Sequence, residues 1–322
     1  MDPDGGSPLD AVRLTVEHET VYRYGAPVEL AHHVAFLQPL DDRRQRLEAF
    51  SLDIDPPPAH LRVERDRCGN VRHAFTVAGA HRALRVCARS RVRLQPLGAV
   101  PPEATPPWEQ LHQRLTYRAG GAYEPATEFA VPSPHVPRLD ALRDYALASF
   151  SPGRPAAVAA IDLMHRVHAD FAYVAASTRI DTPLAQVWRE RRGVCQDFAH
   201  LLIGALRMLG LAARYVSGYL LTTPPPGAAP LVGADASHAW VALWCPHADG
   251  ACDWLELDPT NDRVPDLDHV RLAVGRDFGD VAPLKGVIRG GGAHDLTVRV
   301  TTRRLDAAAP AAGAPAWGTQ VA

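Results

Sequence analysis

Lysine is almost absent from this chain: of 34 Lys and Arg residues, Lys285 is the only lysine. With abundant Ala and Pro, that skew reads as genome composition before function. Cysteine is also scarce. Cys68, Cys87, Cys195, Cys245 and Cys252 are too few and too scattered over 322 residues for a disulfide framework. Excess charge is missing, and a formal net charge of -2 gives no electrostatic case for nucleic acid or an anionic membrane. No run approaches the ~18 apolar residues of a membrane span. The first residues, Met1-Asp2-Pro3-Asp4-Gly5-Gly6, are acidic and polar with no signal-peptide core behind them, so the expected location is the cytoplasm. What remains is an ordinary globular composition, 47% apolar and 22% charged, at a length that predicts two domains.

Residues 11–96 read as an all-β domain. Val12, Leu14 and Val16 alternate with polar neighbours, as do Phe50, Leu52 and Ile54, then Leu84, Val86 and Ala88. Turn signals such as Tyr24-Gly25-Ala26-Pro27 and Cys68-Gly69-Asn70 separate the runs, which predicts several short strands in a sandwich or barrel. A Pro-rich stretch at 97–107 marks the linker. From 108 to 305 helical periods come first (Leu139, Leu142, Tyr145, Ala146; Val158, Ile161, Leu163, Met164, Val167), followed by period-two strands. That order predicts an α+β domain. Residues 1–10 and the Ala/Pro/Gly-rich tail, 306–322, are expected to be disordered. His32 and His33 fall on opposite faces of a strand, as surface or packing residues.

The second domain is organised around Arg191-Arg192-Gly193-Val194-Cys195-Gln196-Asp197-Phe198-Ala199-His200. Phe198, Leu201, Leu202, Ala205, Met208 and Leu209 give one buried helical face, between breaks at Gly193 and Gly210. Cys195 then lies in the first turn, where free backbone N–H groups and the helix dipole favour the thiolate a nucleophile needs. A small buried core cysteine fits the same position. Downstream, His238, Trp240, Ala242 and Trp244 share one face of a predicted strand, and Trp254, Glu256 and Asp258 one face of the next. A hairpin centred on residue 248 would set His238 directly opposite Asp258, close enough for the carboxylate to orient the imidazole. The rivals are weaker. His200 is turned about 140° from Cys195 around the helix and reads as a core or second-shell histidine. Asp197 suits a capping role. Cys245, His247 and Cys252 form an incomplete zinc ligand set or a cross-strand disulfide pair.

Gly193-Val194-Cys195-Gln196-Asp197-Phe198-Ala199-His200, Ala236-Ser237-His238-Ala239-Trp240 and Leu257-Asp258-Pro259-Thr260-Asn261 resemble the three motif blocks of the bacterial transglutaminase-like superfamily, in its Cys, His, Asp order. The stretch from His269 to Asp277 with Asp280-Val281-Ala282-Pro283 is similar to the bacterial branch, and Glu17-His18-Glu19-Thr20-Val21-Tyr22-Arg23-Tyr24 resembles its all-β N-terminal domain. The resemblance implies a papain-like core with Cys195 as nucleophile, His238 as base and Asp258 as orienter. It leaves the second oxyanion donor open, with Gln186 and Trp188 upstream as candidates that fit a purely structural role as well, Asp197 as support, and Tyr173, Asp235 and Trp240 as candidate substrate contacts. The implied reaction is acyl transfer on a protein or peptide amide without metal or other cofactor. Water as acceptor gives a protease or amidase, and an amine gives a transglutaminase. A non-enzymatic scaffold and a metal-dependent hydrolase built on the hairpin residues are the other readings. The loop at 222–233 is a candidate wall of the cleft.

Overall fold

Residues 12–20 alternate inward and outward, with Val12, Leu14, Val16, His18 and Thr20 buried, and the run does not stop at Tyr24-Gly25-Ala26-Pro27. In the computed structural model, which describes residues 11–96, 101–222, 237–246 and 254–305, β1 continues from Val12 to Ala35. The expected turn is instead a bend inside one strand: the register with its neighbour shifts between Arg23 and Val28, and Gly25 and Ala26 donate to Ala293 and Gly291. The sheet continues with β2 (Gln45–Asp55), β3 (His60–Arg65) and β4 (Val71–Leu94).

The helical part comprises α1 (Trp108–Leu115), α2 (Asp140–Leu147), α3 (Ala156–Asp170), α4 (Leu184–Glu190) and α5 (Cys195–Met208). Two short parallel strands, β5 (Ala172–Tyr173) and β6 (Arg192–Gly193), lead into α5. Beyond it lie β7 (Ala213–Leu220), β8 (Ser237–Trp244), β9 (Trp254–Leu257) and β10 (His269–Gly275), an antiparallel sheet in the order β10-β7-β8-β9. A short α6 (Phe278–Val281) follows, then β11 (Leu284–Gly290) and β12 (His294–Arg304).

The last two strands cross the expected domain boundary. β11 pairs with the second half of β1 and β12 with its first half, so residues 284–304 complete the N-terminal sheet rather than the core expected over 108–305. The expected linker also carries structure, with a short 3-10 turn at Pro102–Ala104 and Thr105 buried. One apolar core joins Leu14, Val16, Val92 and Leu94 of the N-terminal sheet to α3 and α5, and a second fills the other end of that sheet around Phe75, Val77, Leu84 and Val86.

The two halves are joined by amide side chains. β10 is an edge strand, whose free N–H and C=O groups need partners when buried. Gln45 donates to the Arg271 carbonyl at 2.9 Å and accepts its N–H at 2.8 Å. Asn70 does the same for Val274, both bonds at 2.8 Å. The N-terminal domain thus caps the core sheet as a further strand would.

α5 is wrapped by α2, α3, α4 and the β7–β8 surface, and it is buried from Asp197 to Arg207. Gly210, in the left-handed region at φ 71°, ends it where the sequence places the stop. Among the described residues, no helix is long and apolar enough to cross a membrane.

Candidate active site

The first turn of α5 is tied down from both sides. Asp197 accepts the Val194 N–H at 2.9 Å, closing half of a capping box, and Thr178 Oγ1 donates to the same carboxylate at 2.6 Å. Burial pushes the Asp197 carboxyl pKa up against the lowering effect of those two bonds. Gln196 donates to the Ile180 carbonyl and anchors the same loop. Cys195 is half-buried, and by position its own N–H and that of Gln196 have no intrahelical acceptor.

Gly193 has to be a glycine for this turn to close. A Cβ there would lie 2.7 Å from Asp197 Cβ and 2.8 Å from Oδ2. Gly193→Ala is expected to push the carboxylate off the cap and cost ~1–3 kcal/mol, with a matching loss of turnover. Thermal unfolding together with kinetics checks both.

His238 faces this thiol from β8. Its Nε2 bonds Asp258 Oδ2 at 2.7 Å and lies 3.2 Å from the Asn261 side-chain nitrogen, and Cys195 is near enough to shift its titration. Burial alone would lower the His238 pKa. The bonds to Asp258 and Cys195 and the charges they carry overcome that and raise it to about 10. Asp258, fully buried, collects five donors. Oδ1 accepts from the N–H groups of Thr260 and Asn261, and Oδ2 accepts from His238, from the Asn261 side chain at 2.7 Å and from His269 at 3.1 Å. Burial would raise its pKa, but these bonds hold the carboxyl far below the usual range.

The hairpin register differs from the expected one by two residues. Ala242 pairs with Glu256 and Val241 with Leu257, so continuing the ladder would put Asp258 opposite Trp240 and make it diagonal to His238. A shift of two keeps every side chain on its face, which is why the His–Asp contact survives.

Several other candidates stand elsewhere. Trp240 is fully buried, donates to Glu256 at 2.8 Å and lies behind His238 with ring centroids 5.9 Å apart, so it backs the imidazole. The Gln186 amide is engaged by Glu190 within α4. Trp188 packs under the Arg191 guanidinium, 3.7 Å from its ring centroid, beside Tyr145. Tyr173, in register with Gly193 on β5, is exposed and feels the charge of Cys195. His200 is buried, with Nε2 accepting the Phe278 N–H, as a core histidine does. His32 bonds Thr76 on one face of β1, while His33 stacks on Phe75 on the other. Asp235, most of the 222–233 loop, His247 and Cys252 lie outside the described residues.

Three residues that the sequence gave no role complete the surroundings. His269 bonds Asp258, and Asn261 does so from within the third motif block. Arg44, from the N-terminal domain, pairs with the buried Glu256 at 3.0 Å, beside Arg271. For Arg44 the only sequence signal is that its partner Glu256 shares a strand face with Asp258. Ligand-capable atoms of His238, Asp258 and His269 lie within 4.8 Å of one another. Both ring nitrogens are already spent on the same Asp258 oxygen, so the donor set is satisfied internally and does not fit a bound metal.

Residues 14–93 match the bacterial transglutaminase-like N-terminal region, and residues 147–259, which include Cys195, His238 and Asp258, match the transglutaminase-like superfamily core. An uncharacterised protein of Mycobacterium tuberculosis (strain ATCC 25618 / H37Rv) is 42% identical over 86% of this chain and 87% of its own length. A protein-glutamine gamma-glutamyltransferase of Pseudomonas aeruginosa is 30% identical over 49% of this chain and 25% of its own length. A candidate cysteine protease from Cytophaga hutchinsonii shares the fold at a TM-score of 0.71 and 20% identity, covering 94% of this chain and 93% of that one. With both of its regions matched and the motif residues gathered at one helix terminus, the chain belongs to the bacterial transglutaminase-like superfamily.

Proposed function

We propose that this protein is a cysteine-dependent enzyme that transfers the acyl group of a peptide or protein amide through a thioester on Cys195, with water as the acceptor. The observation that carries this reading is the His238 imidazole, held by the buried Asp258 at 2.7 Å and close enough to Cys195, in the first turn of α5, to be shifted by it. The Cys195 sulfur attacks the carbonyl carbon as its proton is taken up by His238, and the free N–H groups of the first α5 turn face the carbonyl oxygen as it becomes negative. As the tetrahedral intermediate collapses, the C–N bond breaks, and His238 gives its proton to the leaving amine. His238 then takes a proton from the incoming water, whose oxygen displaces Cys195 and releases the acid. No cofactor is required.

The same acyl-enzyme can be resolved by an amine, and the likeness to the Pseudomonas aeruginosa gamma-glutamyltransferase favours that second reading. Peptide and glutamine-amide libraries in 18O-water with competing amines separate the two. Acid products carrying 18O support hydrolysis, and amine adducts support transamidation. Cys195→Ala is expected to reduce either product by at least about 10³-fold. Turnover that survives this substitution sinks the scheme. Iodoacetamide is expected to label Cys195 ahead of the other thiols near neutral pH.

A further inference from the structure

The Asp258 carboxylate serves two imidazoles, and the reaction above uses only one of them. His269, at the start of β10, is 3% exposed, and both of its ring nitrogens face carboxylates. Nε2 lies 3.1 Å from Asp258 Oδ2, and Nδ1 lies 2.6 Å from Asp268 Oδ1. An ionised carboxylate can only accept a hydrogen bond, so each of these contacts requires a proton on the nitrogen. A ring with protons on both nitrogens is an imidazolium. Burial alone would strip one of them, but the bonds to Asp258 and Asp268 outweigh it and raise the His269 pKa. Asp268 is itself held by Arg263 at 2.6 Å. From His238 outward the groups alternate in charge: His238, Asp258, His269, Asp268, Arg263.

We propose that His269 is a positioning residue, a standing cation that shares Asp258 with His238 and so limits how firmly Asp258 holds the His238 proton. The inference rests on the catalytic reading of His238 for its meaning but not for its measurement. An acid–base group works best when its proton is neither too tightly nor too loosely held. Asp258 alone, buried and fully ionised, would clamp that proton. A second positive ring, with its centroid 6.1 Å from that of His238, opposes the clamp by direct repulsion and by occupying the same oxygen. Other groups around His269 are fixed. Trp240 sits edge-on at 5.1 Å, and Arg44, Glu256, Asp266 and Arg271 line the small cavity beside it, with Arg44 and Arg271 both paired to Glu256.

The test is the His238 ring titration, followed by NMR in the full-length protein, together with the pH profile of Cys195 alkylation by iodoacetamide. Removing the cation in His269→Gln leaves an amide that can still donate to Asp258. The His238 titration is expected to rise by at least about half a pH unit, with the alkaline end of the alkylation profile moving the same way. Asp268→Asn, which weakens the hold on the His269 charge and leaves its ring in place, is expected to move both readings in the same direction by less. It decides the matter if His269→Gln does not fold. A His238 titration that stays in place or falls in the folded variants overturns the proposal, whatever happens to stability. The ring titration is read without turnover, so a wild-type protein inactive on every amide would refute the proposed function and leave this measurement standing.

Discussion

Asp258→Asn is expected to lower kcat by about 10³–10⁴-fold, the scale seen when a buried triad carboxylate is made neutral. No orientation of an asparagine side chain suits the site. Oδ1 receives two backbone N–H groups, and Oδ2 receives three side-chain donors. Whichever way the amide turns, its NH2 meets donors, and His238 and His269 lose their shared anion. Breaking a buried pair from one side costs ~3–5 kcal/mol, so a fall in melting temperature should accompany the loss of rate.

The pH dependence of this variant has a definite sign. In the native protein the His238 proton is held to about pH 10, because its bonds to Asp258 and Cys195 overcome burial. Without Asp258, burial gains the upper hand, and the alkaline limb of the activity profile is expected to fall toward neutral pH. The stability that His238 contributes is complete below its unfolded pKa of about 6.5 and is lost as pH rises through about 10. The variant should therefore lose most stability, relative to the native protein, on the acid side of that window. A pH–rate profile and melting curves at two pH values check both. A native alkaline limb with a native kcat would remove Asp258 from the mechanism.

How much of this was legible in the sequence follows from the range of each interaction. The helix after Gly193 and the shared face of His238 and Trp240 rest on periods of 3.6 and 2, which are local and survive any tertiary context. Register is a property of two strands, and the length of the segment between Trp244 and Trp254 does not fix its centre; the error of two residues cost the pairing but not the face. The burial of Trp240 is not legible for a related reason: alternation groups residues by face without saying which faces are covered. The recruitment of β11 and β12 by β1, the capping of β10 by Gln45 and Asn70, and the Arg44–Glu256 pair all join residues more than 200 positions apart. Nothing in local pattern announces such partners. His269 lay in a stretch that resembled the superfamily, but only the fold shows that its two nitrogens face two acids.

Mild acid should destabilise the protein strongly, through histidines remote from the thiol. His18, His33 and His73 are buried, and burial pushes their pKa values down to about 4; for His200 it is about 3. Each stays neutral for an identifiable reason. His18 shares its nitrogens with the Tyr219 and Thr20 hydroxyls where the two domains meet, and Nε2 of His200 accepts a backbone N–H. His33 stacks on Phe75 and His73 packs at a tilt against Phe50, and neither His33 nitrogen has a partner among the described residues. A histidine with a depressed folded pKa contributes stability that is intact above pH 6.5 and is lost as pH falls toward the folded value. At pH 5 each of the four costs roughly 2 kcal/mol, against a total stability of about 5–15 kcal/mol for a typical native protein. His238 moves the opposite way over this range and offsets only part of the loss. Melting curves at pH 7.5 and pH 5 should therefore differ widely. His33→Phe, which replaces a ring already stacked on Phe75 by one that cannot take a proton, should narrow the gap by about 2 kcal/mol. An equal gap in the two proteins would mean that the acid sensitivity lies elsewhere.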